Sequence, residues 1–380
     1  LTRRIDAVTG GIWHENVITS AHDTPAAAAY LFVRSKAMPA HAQDLLAIVH
    51  DVLQIVRWDN PERFRQMVLE EKMALEAGVS DAISFVNHRL GARYSEAGWV
   101  REKIRGVSYV EFIRALAQRV ESDWEGVLAA LDRIQSLLLN RRTLIANITT
   151  DRATFDSFQT HLSGFLTGLP EAESTGYSWK HAAEHAPEAF TIPGQVGSVG
   201  KGLLLPGEGR VKKGVVMVAA KLLRTTWLWE KVRVEGGAYG GRCSFDHLAD
   251  LFTFTSYRDP NLLPTLEIYD RAGDFLQKLS VSEAELTRSI IGTISEMDSY
   301  QLPDAKGFSA TIRALAGDTD ALRQRRRDEV RGTTLADLRA FGEILSGAAR
   351  TGEVCIVGSQ EKIERLNEER PGWLKVTKLL

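Results

Sequence analysis

The stretch LWEKVRVEGGAYGG, residues 228–241, is the most distinctive in the chain. An apolar helix end beginning at Leu228 runs into Gly236 and Gly237, and Ala238 and Tyr239 then lead to Gly240 and Gly241. Glycine admits left-handed backbone and lets a second chain approach closely. Arg233 and Tyr239 bring fixed donors that suit a peptide carbonyl or a developing oxyanion. On physics alone, a tight turn with surface donors is the simpler reading. A dinucleotide loop is not, because the G-x-G-x-x-G spacing is absent and no helical pattern follows.

Working outward, the 380 residues are 44% hydrophobic and 25% charged, with a formal net charge of -2. That length suggests two or three domains. Near-neutral charge gives no electrostatic case for nucleic acid or an anionic membrane as main partner. No apolar run approaches the roughly 20 residues of a membrane helix, and no signal peptide is seen at the start. The two cysteines, Cys243 and Cys355, fit no C-x-x-C pattern and read as buried thiols in a reducing cytosol. The chain starts at Leu1, as a processed chain or a piece of a longer one would.

The order of elements repeats. Ala29–Val33 reads as a strand, and Asp44–Trp58 has apolar residues at helical spacing. Asn60 followed by Pro61 opens a helix that carries Phe64, Met67, Val68 and Leu75 inward. A strand at Thr143–Ile148 closes the block. Downstream, Leu251–Thr255 is a strand and Leu263–Leu279 a helix. Ser282 and Glu285 form a capping box, and Glu353–Val357 is a strand. Phe32 falls on Phe254 and Asn60 on Ser282 at one offset of 222 (254 − 32; 282 − 60). The near-constant offset indicates tandem duplication of one α+β domain. Each copy is expected to be a mainly antiparallel sheet with helices packed on one face.

Three motifs compete for attention. His181, Glu184 and His185 spell H-x-x-E-H, the inverted zinc-protease signature. On a helix the two histidines would share a face for zinc, with Glu184 as general base. Pro187 ends any such helix at the motif, Gly176 bounds it upstream, and no apolar stripe would bury it. Only generic third ligands such as Glu267 exist, so the match reads as coincidence in an exposed linker. Gly194–Lys201 misses the phosphate-loop spacing and reads as a strand entered through glycines. The run Arg323, Arg325, Arg326, Arg327 is flanked by Asp320, Asp328 and Glu329 and reads as a solvated helix face.

Taken together, LWEKVRVEGGAYGG, SYRDPNLLPTL, DSYQLPDAKG and, earlier, IDAVTGGIW, FVRSKAM, HRLGARYSEAG and WVREKIRGVSYVEF resemble the second half of presequence-protease-type enzymes. These are zinc metallopeptidases of the pitrilysin (insulinase) family. The resemblance covers essentially the whole chain. It implies the third and fourth of four homologous α+β domains, in an enzyme whose halves close around a peptide. It also implies that zinc sits in the missing N-terminal half, so this chain holds no cofactor of its own. No H-x-x-E-H stands at Asp44–Trp58 or Leu263–Leu279, where the family's zinc helix would fall. By the same resemblance, Arg233 and Tyr239 reach toward the zinc-bound peptide and support its tetrahedral intermediate, while Gly236, Gly237 and Ala238 let substrate lie close.

The expectation is therefore a peptidase-like α+β domain at 1–155, a connector at 156–193 and a second such domain at 194–380. It is the non-zinc half of a cytoplasmic oligopeptide-degrading enzyme, inactive alone. Its partners are a zinc-bearing half or subunit and unfolded peptides, with no nucleic acid and no membrane. The rival readings are a stand-alone scaffold subunit and, more remotely, an autonomous zinc peptidase built on His181, Glu184 and His185.

Overall fold

A computed structural model describes residues 1–22, 24–79, 82–173, 179, 181, 185–207 and 209–380, with Pro25 described by its backbone alone. The first half opens with α1 (Thr2–Val8) and a hairpin of β1 (Ile12–Ala21) and β2 (Thr24–Ser35). Helices follow: α2 (Ala42–Gln54), α3 (Pro61–Gly78), α4 (Ala82–Tyr94), α5 (Glu96–Arg105), α6 (Val107–Ser122), α7 (Trp124–Leu138) and α8 (Arg152–Thr167). Local chemistry sets many of their starts. The side chains of Asn60, Ser95, Asp123 and Asp151 each accept the N–H three residues on, satisfying a donor the helix leaves open.

Two expectations are corrected in this half. Residues 143–148 pair in no ladder among the described residues, although their composition suits a strand. A strand exists only where another strand takes its backbone groups. Met67, placed inward from its spacing, is 51% exposed, because α6 covers α3 only along the Phe64–Val68 side.

The second half is built on one six-stranded sheet: β3 (Glu188–Ile192), β4 (Ser198–Leu204), β5 (Gly240–Asp246), β6 (Leu251–Tyr257), β7 (Glu353–Ser359) and β8 (Lys375–Lys378). Their order is β5-β6-β4-β7-β3-β8. The first three pairings are antiparallel, and β3 pairs parallel with both β7 and β8. The stretch 156–193, expected as a connector, thus supplies most of α8 and all of β3.

Helices α9 (Lys213–Thr225), α10 (Leu263–Asp270), α11 (Ala272–Gln277), α12 (Glu283–Met297), α13 (Pro303–Leu315), α14 (Asp320–Arg331), α15 (Leu335–Ala349) and α16 (Gln360–Glu369) complete this half. The capping box of Ser282 and Glu285 is present at α12. The expected helix at 263–279 breaks into α10 and α11 at Arg271. There Gly273 lies so close to α15 that a Cβ would sit 2.2 Å from Ser346 Oγ.

The α+β class holds, but helices cover both faces of the sheet. One face carries the main core, where Phe252, Phe254 and Ile356 meet Leu222, Tyr269 and Phe341. The other is covered by the first half: Phe85, Val86 and Leu90 of α4 pack on Phe190, Cys355 and Val357. That second layer explains why β3 is buried along its whole length and β4 and β6 along nearly all of theirs.

A buried ion network locks the two layers. Arg93, 5% exposed at its side chain, contacts Glu188 at 2.8 Å and Glu353 at 2.7 Å. Arg89 takes Glu188 through two bonds of 2.9 and 2.7 Å and reaches buried Glu102 at 3.4 Å. Burial works against charge on Arg89, yet Glu188 and Glu102 raise its pKa further. Tyr94 donates its hydroxyl to the Gly202 carbonyl at 2.6 Å and accepts the Glu353 N–H at 3.1 Å.

Candidate functional site

Between α9 and β5 the chain forms a π-helical segment, Trp229–Glu235, a form that often marks functional sites. Its end is closed by Gly237, at φ +75, whose N–H donates to the Arg233 carbonyl at 3.0 Å. Ala238 is buried and donates to the Val232 carbonyl at 3.1 Å. A Cβ on Gly236 would stand 2.6 Å from the Val232 oxygen. These three residues form a tight ledge that needs its glycines.

Arg233 and Tyr239 come together on that ledge. The Arg233 guanidinium lies 4.3 Å from the Trp229 ring centroid and 5.6 Å from that of Tyr239. Tyr239 is 61% exposed, and its ring meets Tyr257 edge-on at 5.6 Å. Its N–H donates to the Tyr257 carbonyl at 3.0 Å, which fixes the ledge to β6. Among the described residues, the Arg233 guanidinium and the Tyr239 hydroxyl have no hydrogen-bond or ion-pair partner.

The SYRDPN stretch supports this arrangement from beneath. Asp259 is buried, accepting the Asn261 N–H at 2.9 Å and the Thr265 hydroxyl at 2.7 Å. Burial raises its pKa, with the Asn261 N–H and the Ser256 and Thr265 hydroxyls pulling against that. Asn261 then donates from its side chain to the Gly236 carbonyl at 2.6 Å. Trp229, Tyr257 and Asn261 escaped the sequence reading of the site. The only signal for them was their place inside the two distinctive stretches.

The residues of H-x-x-E-H do not converge on a metal. His181 is half-buried, its Nε2 2.7 Å from the Ala92 carbonyl and its ring edge-on to Trp99. An Nε2–H held by a carbonyl is not a ligand nitrogen. His185 Nδ1 lies 3.1 Å from Glu353 Oε1, and Glu184 lies outside the described residues. Among those described, no group of three or more His, Cys, Asp or Glu could hold a metal ion.

Gly194–Lys201 leads into β4, with the Lys201 ammonium held by Asp270 at 2.5 Å. The basic run on α14 is not wholly a solvated face: Arg326 is buried and pairs with Asp318 at 2.7 Å.

The family model described as the PreP C-terminal domain matches residues 187–360, and a model of the region associated with subfamily C of the M16 peptidases matches residues 1–116. Presequence protease 1, chloroplastic/mitochondrial, of Arabidopsis thaliana is 39% identical over 384 residues, covering 100% of this chain and 35% of that protein. The chain spans about a third of the length of the curated relatives it matches. A solved protease from Helicobacter pylori superposes with a TM-score of 0.62 at 16% identity, over 94% of this chain and 84% of that one. A peptidase M16 inactive domain from Pseudomonas fluorescens gives 0.56 at 11%, over 91% and 81%. At those identities the two structures speak for the fold alone.

The chain belongs to the pitrilysin (M16) family of zinc metallopeptidases and is a C-terminal half of the presequence-protease type. No helix among its described residues is long and apolar enough to cross a membrane.

Proposed function

We propose that this chain is the non-zinc half of an oligopeptide-degrading peptidase, forming one wall of the chamber that encloses the substrate. The carrying observation is the pair of exposed donors, Arg233 and Tyr239, held side by side by aromatic rings with no internal partner. Arginine stacked by its π face keeps its N–H edges open to a peptide carbonyl. The Tyr239 hydroxyl donates to the oxygen on which charge develops during attack. Removing one such donor typically costs about 10²–10³ in kcat. The ledge of Gly236, Gly237 and Ala238 admits the substrate backbone closely.

Zinc, which would supply the activated water, belongs in this reading to an N-terminal half, joined to this chain or separate. A reducing, cytoplasmic setting accords with two free, buried thiols, Cys243 and Cys355. The name of the Arabidopsis relative places that protein in chloroplasts and mitochondria.

The test is hydrolysis of an unfolded oligopeptide by the chain with zinc, alone and with a zinc-bearing half. Activity is expected only in the second case, with Arg233→Ala and Tyr239→Phe each lowering kcat about 10²-fold. Hydrolysis by the chain alone that disappears in His181→Ala would overturn the reading.

A further inference from the structure

The stack at the ledge continues past Tyr239. Tyr257 meets Tyr239 at 5.6 Å, and the Arg258 guanidinium lies 5.5 Å from the Tyr257 ring centroid. Trp229, Arg233, Tyr239, Tyr257 and Arg258 therefore form one alternating ladder of rings and cations, in steps of 4.3 to 5.6 Å. Arg258 is exposed, and among the described residues its guanidinium has no hydrogen-bond or ion-pair partner.

The backbone of Arg258 is equally telling. Its φ is +48, in the left-handed region that disfavours a long side chain. The conformation is enforced from the next residue. Asp259 exchanges backbone hydrogen bonds with Gly197 at 3.0 and 2.8 Å, and its carboxylate is fixed by Asn261 and Thr265. Strain held in this way is characteristic of binding sites. Here it sets the Arg258 side chain over Tyr257.

The charge around the ladder is one-sided. Arg242 of β5 is exposed and shares a sheet face with Tyr257, since Gly240 is opposite Tyr257 and Arg242 opposite Thr255. Of the acids in this segment, Glu235 is taken by Lys231 at 2.5 Å, and Asp259 is buried with both oxygens engaged. A guanidinium with open N–H edges pairs best with a carboxylate, through two parallel bonds.

Resting on the proposed function, we infer that Arg258 is a second substrate-binding residue, taking a peptide carboxylate several residues along the chain from the carbonyl held by Arg233. The carboxylate comes from an acidic side chain or from the peptide's C-terminus.

The experiment is fluorescence-anisotropy titration of the full 380-residue chain with three labelled extended peptides, each about 12 residues long. One has a free C-terminus and no acidic side chain, one is amidated with a single Glu, and one is amidated with Gln in its place. Arg258→Gly relieves the positive φ, so thermal stability should hold or rise while affinity for a carboxylate peptide falls about tenfold. Affinity for the neutral peptide should not change. Loss confined to the first peptide assigns the terminal carboxylate, and loss confined to the second assigns the side chain. Arg233→Ala, acting on backbone carbonyls, should weaken all three alike. If it does and Arg258→Gly binds all three like wild type, the Arg258 assignment falls and the proposed function stands. If Arg233→Ala changes nothing, or no peptide binds, both fall.

Discussion

Replacing Arg93 with Met tests whether the two halves are held together by the buried ion network. Methionine keeps most of the volume and removes the charge. Arg93 is 5% exposed at its side chain and is shared by Glu188 and Glu353, at 2.8 and 2.7 Å. Without it, Glu188, Glu353 and Glu102 face Arg89 as the single remaining arginine of the network. Removing one partner of a buried pair typically costs about 3–5 kcal/mol, because a charge is left in a poorly solvated place. Glu353 is 14% exposed at its side chain and keeps a contact to His185, so the lower end, about 3 kcal/mol, is expected. Urea denaturation at pH 7, followed by tryptophan fluorescence, reads this as a fall in the midpoint. A second variant, Arg93→Met with Glu188→Gln, removes one uncompensated carboxylate. It should recover more than about 1 kcal/mol, a coupling expected only of residues in direct contact. A loss below about 1 kcal/mol in the single variant, or additive losses in the pair, would place these contacts among ordinary surface pairs and sink the reasoning.

Two further outcomes follow from local geometry. Gly236→Ala puts a Cβ 2.6 Å from the Val232 oxygen, where ordinary contact begins at 3.4 Å, so the ledge must move by about 0.8 Å (3.4 − 2.6). The expected cost is about 1–3 kcal/mol in a urea titration, with a roughly 10-fold or greater loss of peptide affinity; unchanged affinity would mean that the ledge is no binding surface. Asp318 is partly buried, which opposes its charge, yet His247 and Arg326 hold its pKa down to about 2. A depressed acid stabilises the fold above its unfolded pKa near 3.8 and loses that contribution as pH falls through about 2. About 2 kcal/mol should therefore disappear between pH 4 and pH 2, and stability of Asp318→Asn should vary less with pH across that window.

Much of the chain was legible because much of it is local. The Asn60 cap, the Ser282–Glu285 box, the alternation in β6 and the glycines of residues 236–241 depend on neighbours a few residues away. They survive in the structure as read. The failures depend on distant partners. Residues 143–148 have strand composition but no ladder among the described residues. Arg326 sits in a charged run yet is buried against Asp318. The site divides the same way. Arg233 and Tyr239 were found from their segment, while Tyr257 and Arg258 come from a strand that the fold lays beside it.

By itself, the sequence determined the helix starts, the turn glycines and the α+β class. Those rest on backbone preference and periodicity, which act over a few residues. Only the tertiary structure decided that α4 of the first half covers the second half's sheet, and that His181 and His185 turn to Ala92 and Glu353. It also decided that Arg233 is held between two rings with its donors open. Each of these is a contact that packing brings about. Such contacts are set by which surfaces can be buried together, and neither spacing nor composition records that.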